Sequence, residues 1–181
     1  TSAIAKLVQR NLMEDVVHFG NKTTTGVTGI SWLFAALDTG GFSSTGIDVL
    51  LNDAYPSLGH MAHQNMTTLC ENYACTFPEA GGGSQNHIML GGFDAWLLSS
   101  VGGLDSIVNT TTGGWRDVVA RVAPGAITKI KRSAYTKTTR FGQASLTWSF
   151  DDANSSLSAK LTLPIGARGV FHAPATLTGE D

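Results

Sequence analysis

The hydrophobic period of this chain changes once, near residue 115, and that change limits the folds open to it. Ahead of it, AIAKLVQRNLMEDVVHF sets Ile4, Leu7, Val8, Leu12, Val16 and Phe19 at helical spacing, so a first helix has an apolar face. GVTGISWLFAALD, after the Thr-rich turn at residues 23–25, predicts a second helix. STGIDVLLNDA, capped by Ser43 and Ser44, predicts a third, and SLGHMAHQNMTTL, capped by Ser57, a fourth. Pro56 stands between those two, ending one and starting the next. HIMLGGFDAWLLSSVGGL predicts a further helix closed by Gly102 and Gly103. Beyond it, ITKIKRSAYT, QASLTWSFDD and SLSAKLTLPI alternate apolar and polar residues as half-buried strands do. DDANSS is a turn cluster that makes the last two a hairpin; GVFHAP is a final strand and ATLTGED a loose tail. Helices followed by strands predict an α+β chain whose two classes pack separately.

Composition narrows the function classes. With 181 residues, 42% of them hydrophobic and 14% charged, a sizeable core can form. Net charge is −2, and apart from Lys129, Lys131 and Arg132 the basic residues are scattered, so nucleic acid is not an expected partner. No apolar run approaches the roughly 20 residues that span a bilayer, and the amino end lacks the pattern of a signal peptide. The chain opens at Thr1 directly in a helical pattern, which reads as a piece of a longer polypeptide whose upstream part would hold any targeting segment. Asn21, Asn65, Asn109 and Asn154 each begin an Asn-x-Ser/Thr glycosylation pattern, which points to a secreted or extracellular protein; abundant Ser and Thr offer the bland explanation. Cys70 and Cys75 can close a short loop, but a free buried pair is the preferred reading, since two cysteines make no disulfide framework.

The chemistry-bearing stretch is residues 66–93, where Glu71 and His87 stand at the two ends of a glycine-rich loop. His87 precedes a strongly patterned helix, so both groups can point into one cleft. Taken singly, Glu71 reads as a solvated helix-end charge and His87 as a capping or core histidine. His60 and His63 lie three apart, and HMAH lacks both the spacing and the glutamate of HExxH, so they read as surface histidines and no metal is expected. GGGSQNH has no preceding strand and no following Lys, so its glycines serve a tight backbone path rather than a phosphate. Trp32, Trp96 and Trp148 read as core residues rather than sugar platforms.

Four segments in order, NKTTTGVTGISWLFAALDTGG, AYPSLGHMAHQNMTTLCE, SQNHIMLGGFDAWLLSSVGGL, and the strands from APGAITKIKRSAYTKTTRFGQASLTWSF to LTLPIGARGVFHAP, resemble the α-L-rhamnosidases of glycoside hydrolase family 78. The resemblance implies a multidomain fragment: residues 1–108 as the C-terminal helices of an (α/α)6 six-hairpin catalytic barrel, and 109–181 as a C-terminal antiparallel β-sandwich. It implies hydrolysis of terminal non-reducing α-L-rhamnose with inversion. Glu71 matches the family's general base, His87 an imidazole that holds the rhamnose, and Asn86 joins that pocket. The general acid is expected upstream of Thr1, so Glu79 is not assigned to it. No cofactor and no membrane are implied; the partners are rhamnose-containing glycosides or polysaccharides and the upstream part of the same polypeptide. Cys70 and Leu58 stand where the family commonly has tryptophan, which weakens sugar stacking or shifts it to Trp96, Tyr73 or Phe77. A non-catalytic carbohydrate-binding or structural fragment, or another (α/α)6-barrel glycosidase or lyase, is the competing expectation. The chain alone is expected to be inactive and, with apolar helix faces uncovered, poorly soluble.

Overall fold

The computed structural model describes residues 2–75, 83–107 and 114–174. Phe77, Glu79, Gly81, Gly82, the Asn109 glycosylation pattern and the tail from Ala175 lie outside the described residues. The chain forms two compact units, Thr1–Ala95 and Trp96–Asp181; the first is helical, and the second holds all the described strands together with the helix Pro124–Lys129.

The first unit holds α1 (Ala3–His18), α2 (Ile30–Thr39), α3 (Ser43–Leu51), α4 (Leu58–His63) and a 3-10 helix, Ile88–Phe93. Its core is built on α2, whose Ile30, Leu33, Phe34 and Leu37 recur on one face and are buried with Ile47 and Val49 of α3 and Met61 of α4. Phe34 meets the Phe93 ring at 5.9 Å between centroids. At about 100° per residue, Trp32 points away from that stripe. It is 74% exposed rather than core, a correction to the sequence expectation. In α1 only Val16 is buried, while Ile4, Leu7 and Val8 are exposed. The apolar face is present but, among the described residues, its first two turns are uncovered.

Backbone closures set the helix lengths. After α2, Gly41 takes φ +87°, the Phe42 N–H donates to Leu37 O at 2.8 Å and the Gly41 N–H to Asp38 O at 3.1 Å, which closes the helix in a left-handed cap. Only Gly40, Gly41 and Phe42 then separate α2 from α3. Ser43 and Ser44 therefore fall inside α3, and its N-cap is Phe42, not a serine. Asn65 at φ +58° ends α4 in the same manner, with the Met66 N–H donating to Met61 O, so MTTL leaves the helix expected for it. Ser57 caps α4 as expected, its Oγ accepting from the His60 N–H at 2.9 Å. The last expected helix is instead the 3-10 helix, α5 (Asp94–Trp96) and a π-helical turn, Leu97–Val101. Gly92 sets how closely the 3-10 helix approaches α2: a Cβ there would fall 1.9 Å from Ser31 Oγ, so only glycine lets this turn lie against that helix. Gly102 donates to Leu97 O at 2.7 Å and Gly103 takes φ +81°, the termination predicted for that end.

The second unit carries two three-stranded sheets, with β1 (Leu104–Ser106), β2 (Asp117–Arg121) and β6 (Arg168–His172) in one, and β3 (Arg132–Thr139), β4 (Gly142–Asp151) and β5 (Ser156–Thr162) in the other. The second sheet is antiparallel in the order β3-β4-β5, and Ala144, Leu146 and Trp148 alternate into the core. The expected DDANSS hairpin joins β4 to β5, with Asp151 accepting from the Ala153 N–H and the Asn154 amide. Two corrections apply. ITK belongs to α6 (Pro124–Lys129), where Pro124 suits a helix start and Ala126 and Ile127 are buried, so β3 begins only at Arg132. The first sheet is not wholly antiparallel: β2 pairs antiparallel with β1 but parallel with β6. β2 had escaped the sequence reading because a central strand, covered on both faces, shows no alternation.

Candidate functional site

Once Asn65 has closed α4, residues 66–75 run beside residues 83–87, and backbone bonds hold the two segments together. The His87 N–H donates to Leu69 O at 2.7 Å, the Glu71 N–H to Ser84 O at 2.7 Å, and the Thr68 hydroxyl to Gln85 O. Ser84 returns the bond, its N–H donating to Glu71 Oε2 at 2.9 Å. Gly83 stands so near that carboxylate that a Cβ on it would lie 2.5 Å from Oε2.

The turn bearing Glu71 is fixed at three points. Cys70 and Cys75 are disulfide-bonded, with Cα atoms 5.4 Å apart. This corrects the preferred reading of a free pair: residues between them fold back on themselves, which brings the two sulfurs together. Asn72 Oδ1 supplies the fold-back by accepting from the Ala74 and Cys75 N–H groups, each at 3.1 Å. Tyr73 is buried between them and its hydroxyl donates to Thr25 O at 2.9 Å, anchoring the turn to the segment before α2. Burial pushes the Tyr73 phenol above its ordinary value, against the opposite pull of its bonds to Thr23 and Thr25. Glu71, between these buried anchors, is exposed.

The sequence-predicted residues thus sit on paired segments. His87 is half-buried at the N-cap of the 3-10 helix, and its side chain makes no capping bond, which disposes of the capping role. Asn86 is exposed, with its backbone N–H on Ser84 Oγ at 3.1 Å. The sequence does not single out Gly83 or Ser84, and it offers the disulfide only as the less favoured reading; the run of glycines is the available signal, without showing which glycine matters or against what.

Other candidates are displaced by their surroundings. Trp96 and Tyr73 are 4% and 8% exposed, so neither offers a ring face to a sugar, contrary to the stacking expected of them. His60 packs edge-on against Tyr55 at 5.3 Å, and His63 faces Asp53 at 3.6 Å. No group of three metal-ligating side chains occurs among the described residues. Lys131 of the small basic cluster pairs with Asp152 and lies over the Phe150 ring. None of the described helices is long and apolar enough to cross a membrane. In the second unit, Arg168 binds buried Asp117 beside a cleft of about 300 Å³, and that carboxylate holds the guanidinium still more firmly protonated.

A family model described as the bacterial alpha-L-rhamnosidase 6 hairpin glycosidase domain matches residues 1–101. An alpha-L-rhamnosidase of Formosa agariphila is 26% identical over 157 residues, which make up 85% of this chain and 16% of that protein. The crystal structure of native α-L-rhamnosidase from Aspergillus terreus matches with TM-score 0.82 at 25% identity, over 97% of this chain and 20% of that one. The Streptomyces avermitilis α-L-rhamnosidase complexed with L-rhamnose matches in fold with TM-score 0.81 at 20% identity, over 94% of this chain and 16% of that one. The chain therefore spans 16% to 20% of the length of these relatives.

Proposed function

Because this chain belongs to the family of the bacterial alpha-L-rhamnosidase six-hairpin glycosidase domain, we propose that it is the part of an inverting rhamnosidase that supplies the general base. The reaction is hydrolysis of terminal α-L-rhamnose from glycosides or polysaccharides. An inverting glycosidase needs one carboxylate to take a proton from water on the face opposite the leaving group. A second carboxylic acid, roughly 6.5–9.5 Å away, protonates the departing oxygen. Glu71 is the base in this reading, His87 and Asn86 hold the sugar, and the acid belongs to the remaining length that the relatives have and this chain lacks. The carrying observation is the placement of Glu71: exposed, on a disulfide-closed turn, its backbone paired with the segment that leads into Asn86 and His87. Residues 1–108 are assigned to the end of the catalytic barrel and 109–181 to the β-sandwich that follows. That division concerns lineage, whereas the division at residue 95 concerns compactness.

Export from the cell is part of the proposal. The Cys70–Cys75 bond suits an oxidising compartment. Asn65 and Asn154 are exposed within their glycosylation patterns, whereas Asn21 is half-buried and its partner Thr23 lies in the core.

The full-length protein would be offered aryl glycosides of rhamnose, glucose and glucuronic acid, with the first-formed sugar followed by NMR. Release from the rhamnoside alone, as the inverted anomer, is the expected result. A retained anomer would sink the inverting mechanism. Release from none of the three would favour a non-catalytic carbohydrate-binding role, and release from another glycoside a different barrel enzyme.

A further inference from the structure

The assignment of Glu71 leaves open what aims its carboxylate, and the geometry points to Gly83 and the Ser84 N–H: we infer that residues 83–84 form a positioning clamp for the Glu71 carboxylate. This rests on the reading of Glu71 as general base. A glutamate side chain has three rotatable bonds, and an exposed one samples many rotamers unless something selects among them. Here the Ser84 N–H takes Oε2 at 2.9 Å while Ser84 O takes the Glu71 N–H at 2.7 Å, so the same residue grips both ends of Glu71. With Oε2 engaged, Oε1 is the oxygen presented to a water. A backbone donor suits this task, because it moves only with the segment that carries it.

Gly83 is the second half of the clamp. A Cβ at that position would lie 2.5 Å from Glu71 Oε2 and 3.0 Å from both Cβ and Cδ of the same side chain. Three atoms of one residue line that space, so an added methyl must displace Glu71 or the 83–84 backbone. Either movement shifts Oε2 relative to the Ser84 N–H. Gly83 is not among the residues of positive φ, so its glycine is required by close approach rather than by backbone conformation. Bonds on either side hold the clamp in register, since Thr68 is tied to Gln85 and Leu69 to His87.

The test is a cycle of variants in the full-length enzyme, assayed on an aryl rhamnoside. Gly83→Ala is expected to lower kcat about 10²-fold, the effect of misplacing a catalytic group by about 1 Å, while KM changes little because His87 and Asn86 still hold the sugar. In a Glu71→Ala background the contacts with Oε2 and Cδ are gone and only the Cβ contact at 3.0 Å remains, so Gly83→Ala should lower the residual rate far less than it lowers the rate of the wild type. Loss of rate of equal size in both backgrounds would mean a structural role and overturn the clamp. Wild-type kcat in Gly83→Ala would do the same. If Gly83→Ala alone fails to fold, the doubly substituted protein decides: folding restored by Glu71→Ala supports the contact, and failure of both overturns it. If Glu71→Gln itself keeps the full rate, the reading of Glu71 as base has failed. If Glu71→Gln is impaired and Gly83→Ala is not, only the clamp has failed.

Discussion

Glu71 and Ser84 are bonded to one another twice, through the Glu71 N–H on Ser84 O at 2.7 Å and the Ser84 N–H on Glu71 Oε2 at 2.9 Å. The second bond needs only an acceptor oxygen, which a glutamine amide also has. Glu71→Gln should therefore keep the fold and lose the proton acceptor. We expect the full-length enzyme to melt as the wild type does, while turnover falls about 10²–10⁴-fold, the usual contribution of a general base. An unchanged rate would remove Glu71 from the chemistry, and a large drop in melting temperature would make its role structural.

The Cys70–Cys75 bond closes a short loop, for which chain entropy gives about 2 kcal/mol of stabilisation. Replacing both cysteines by serine should cost that much in urea unfolding and reduce turnover, because the loop carries Glu71. Residues 1–181, isolated without reductant and then denatured, should show no thiol to a colorimetric reagent. Two titratable thiols would count against both the bond and the oxidising compartment.

Trp148 is 1% exposed, and its indole N–H donates to Val101 O at 2.9 Å. Trp148→Ala should cost about 3–5 kcal/mol in denaturant unfolding of the second unit. Trp148→Phe keeps much of the packing but leaves the Val101 carbonyl without that donor, at about 1–3 kcal/mol. Equal losses in the two variants would show that the hydrogen bond, not packing, is what the indole supplies, and a Phe variant as stable as the wild type would show the reverse.

Asp151 at the β4–β5 turn is held below its ordinary value, first by the Asn154 side chain and then by the Ala153 N–H. A carboxylate depressed in the folded state stabilises it fully above its unfolded value, near about 3.9. That contribution is lost as pH falls through the folded value. Stability measured against pH should therefore fall less steeply below about pH 4 in Asp151→Asn than in the wild type. Parallel acid limbs would show that the turn does not distinguish the two ionisation states.

Ile4, Leu7 and Val8 are exposed on α1, at 75%, 48% and 60%, as are Trp32, Ile88 and Met89. Residues 1–181 produced alone should associate, as read by light scattering, and Leu7→Lys with Val8→Glu should raise the soluble fraction. A monodisperse monomer of the unsubstituted chain would show that these side chains need no cover.

Much of the layout was legible in the sequence because it rests on local patterning. The i, i+3, i+4, i+7 stripe of α2, the Ser57 cap, the alternation through Ala144, Leu146 and Trp148, and the DDANSS turn each depend on neighbours a few residues away. The order of matching segments also pointed to the family, and to Glu71 and His87 as residues to examine. What the tertiary structure decided was everything that depends on distant segments meeting. A left-handed closure at Asn65 cut α4 where the expected helix ran on, and the parallel pairing of β2 with β6 joined strands separated by a whole antiparallel sheet. Trp32 left the core because only the fold says which side of α2 is covered. The glycine-rich loop shows the limit most plainly, since composition announces a tight path but not its partner. That Gly83 must be glycine because Glu71 lies against it follows from two segments pairing, and residue spacing alone does not encode that distance.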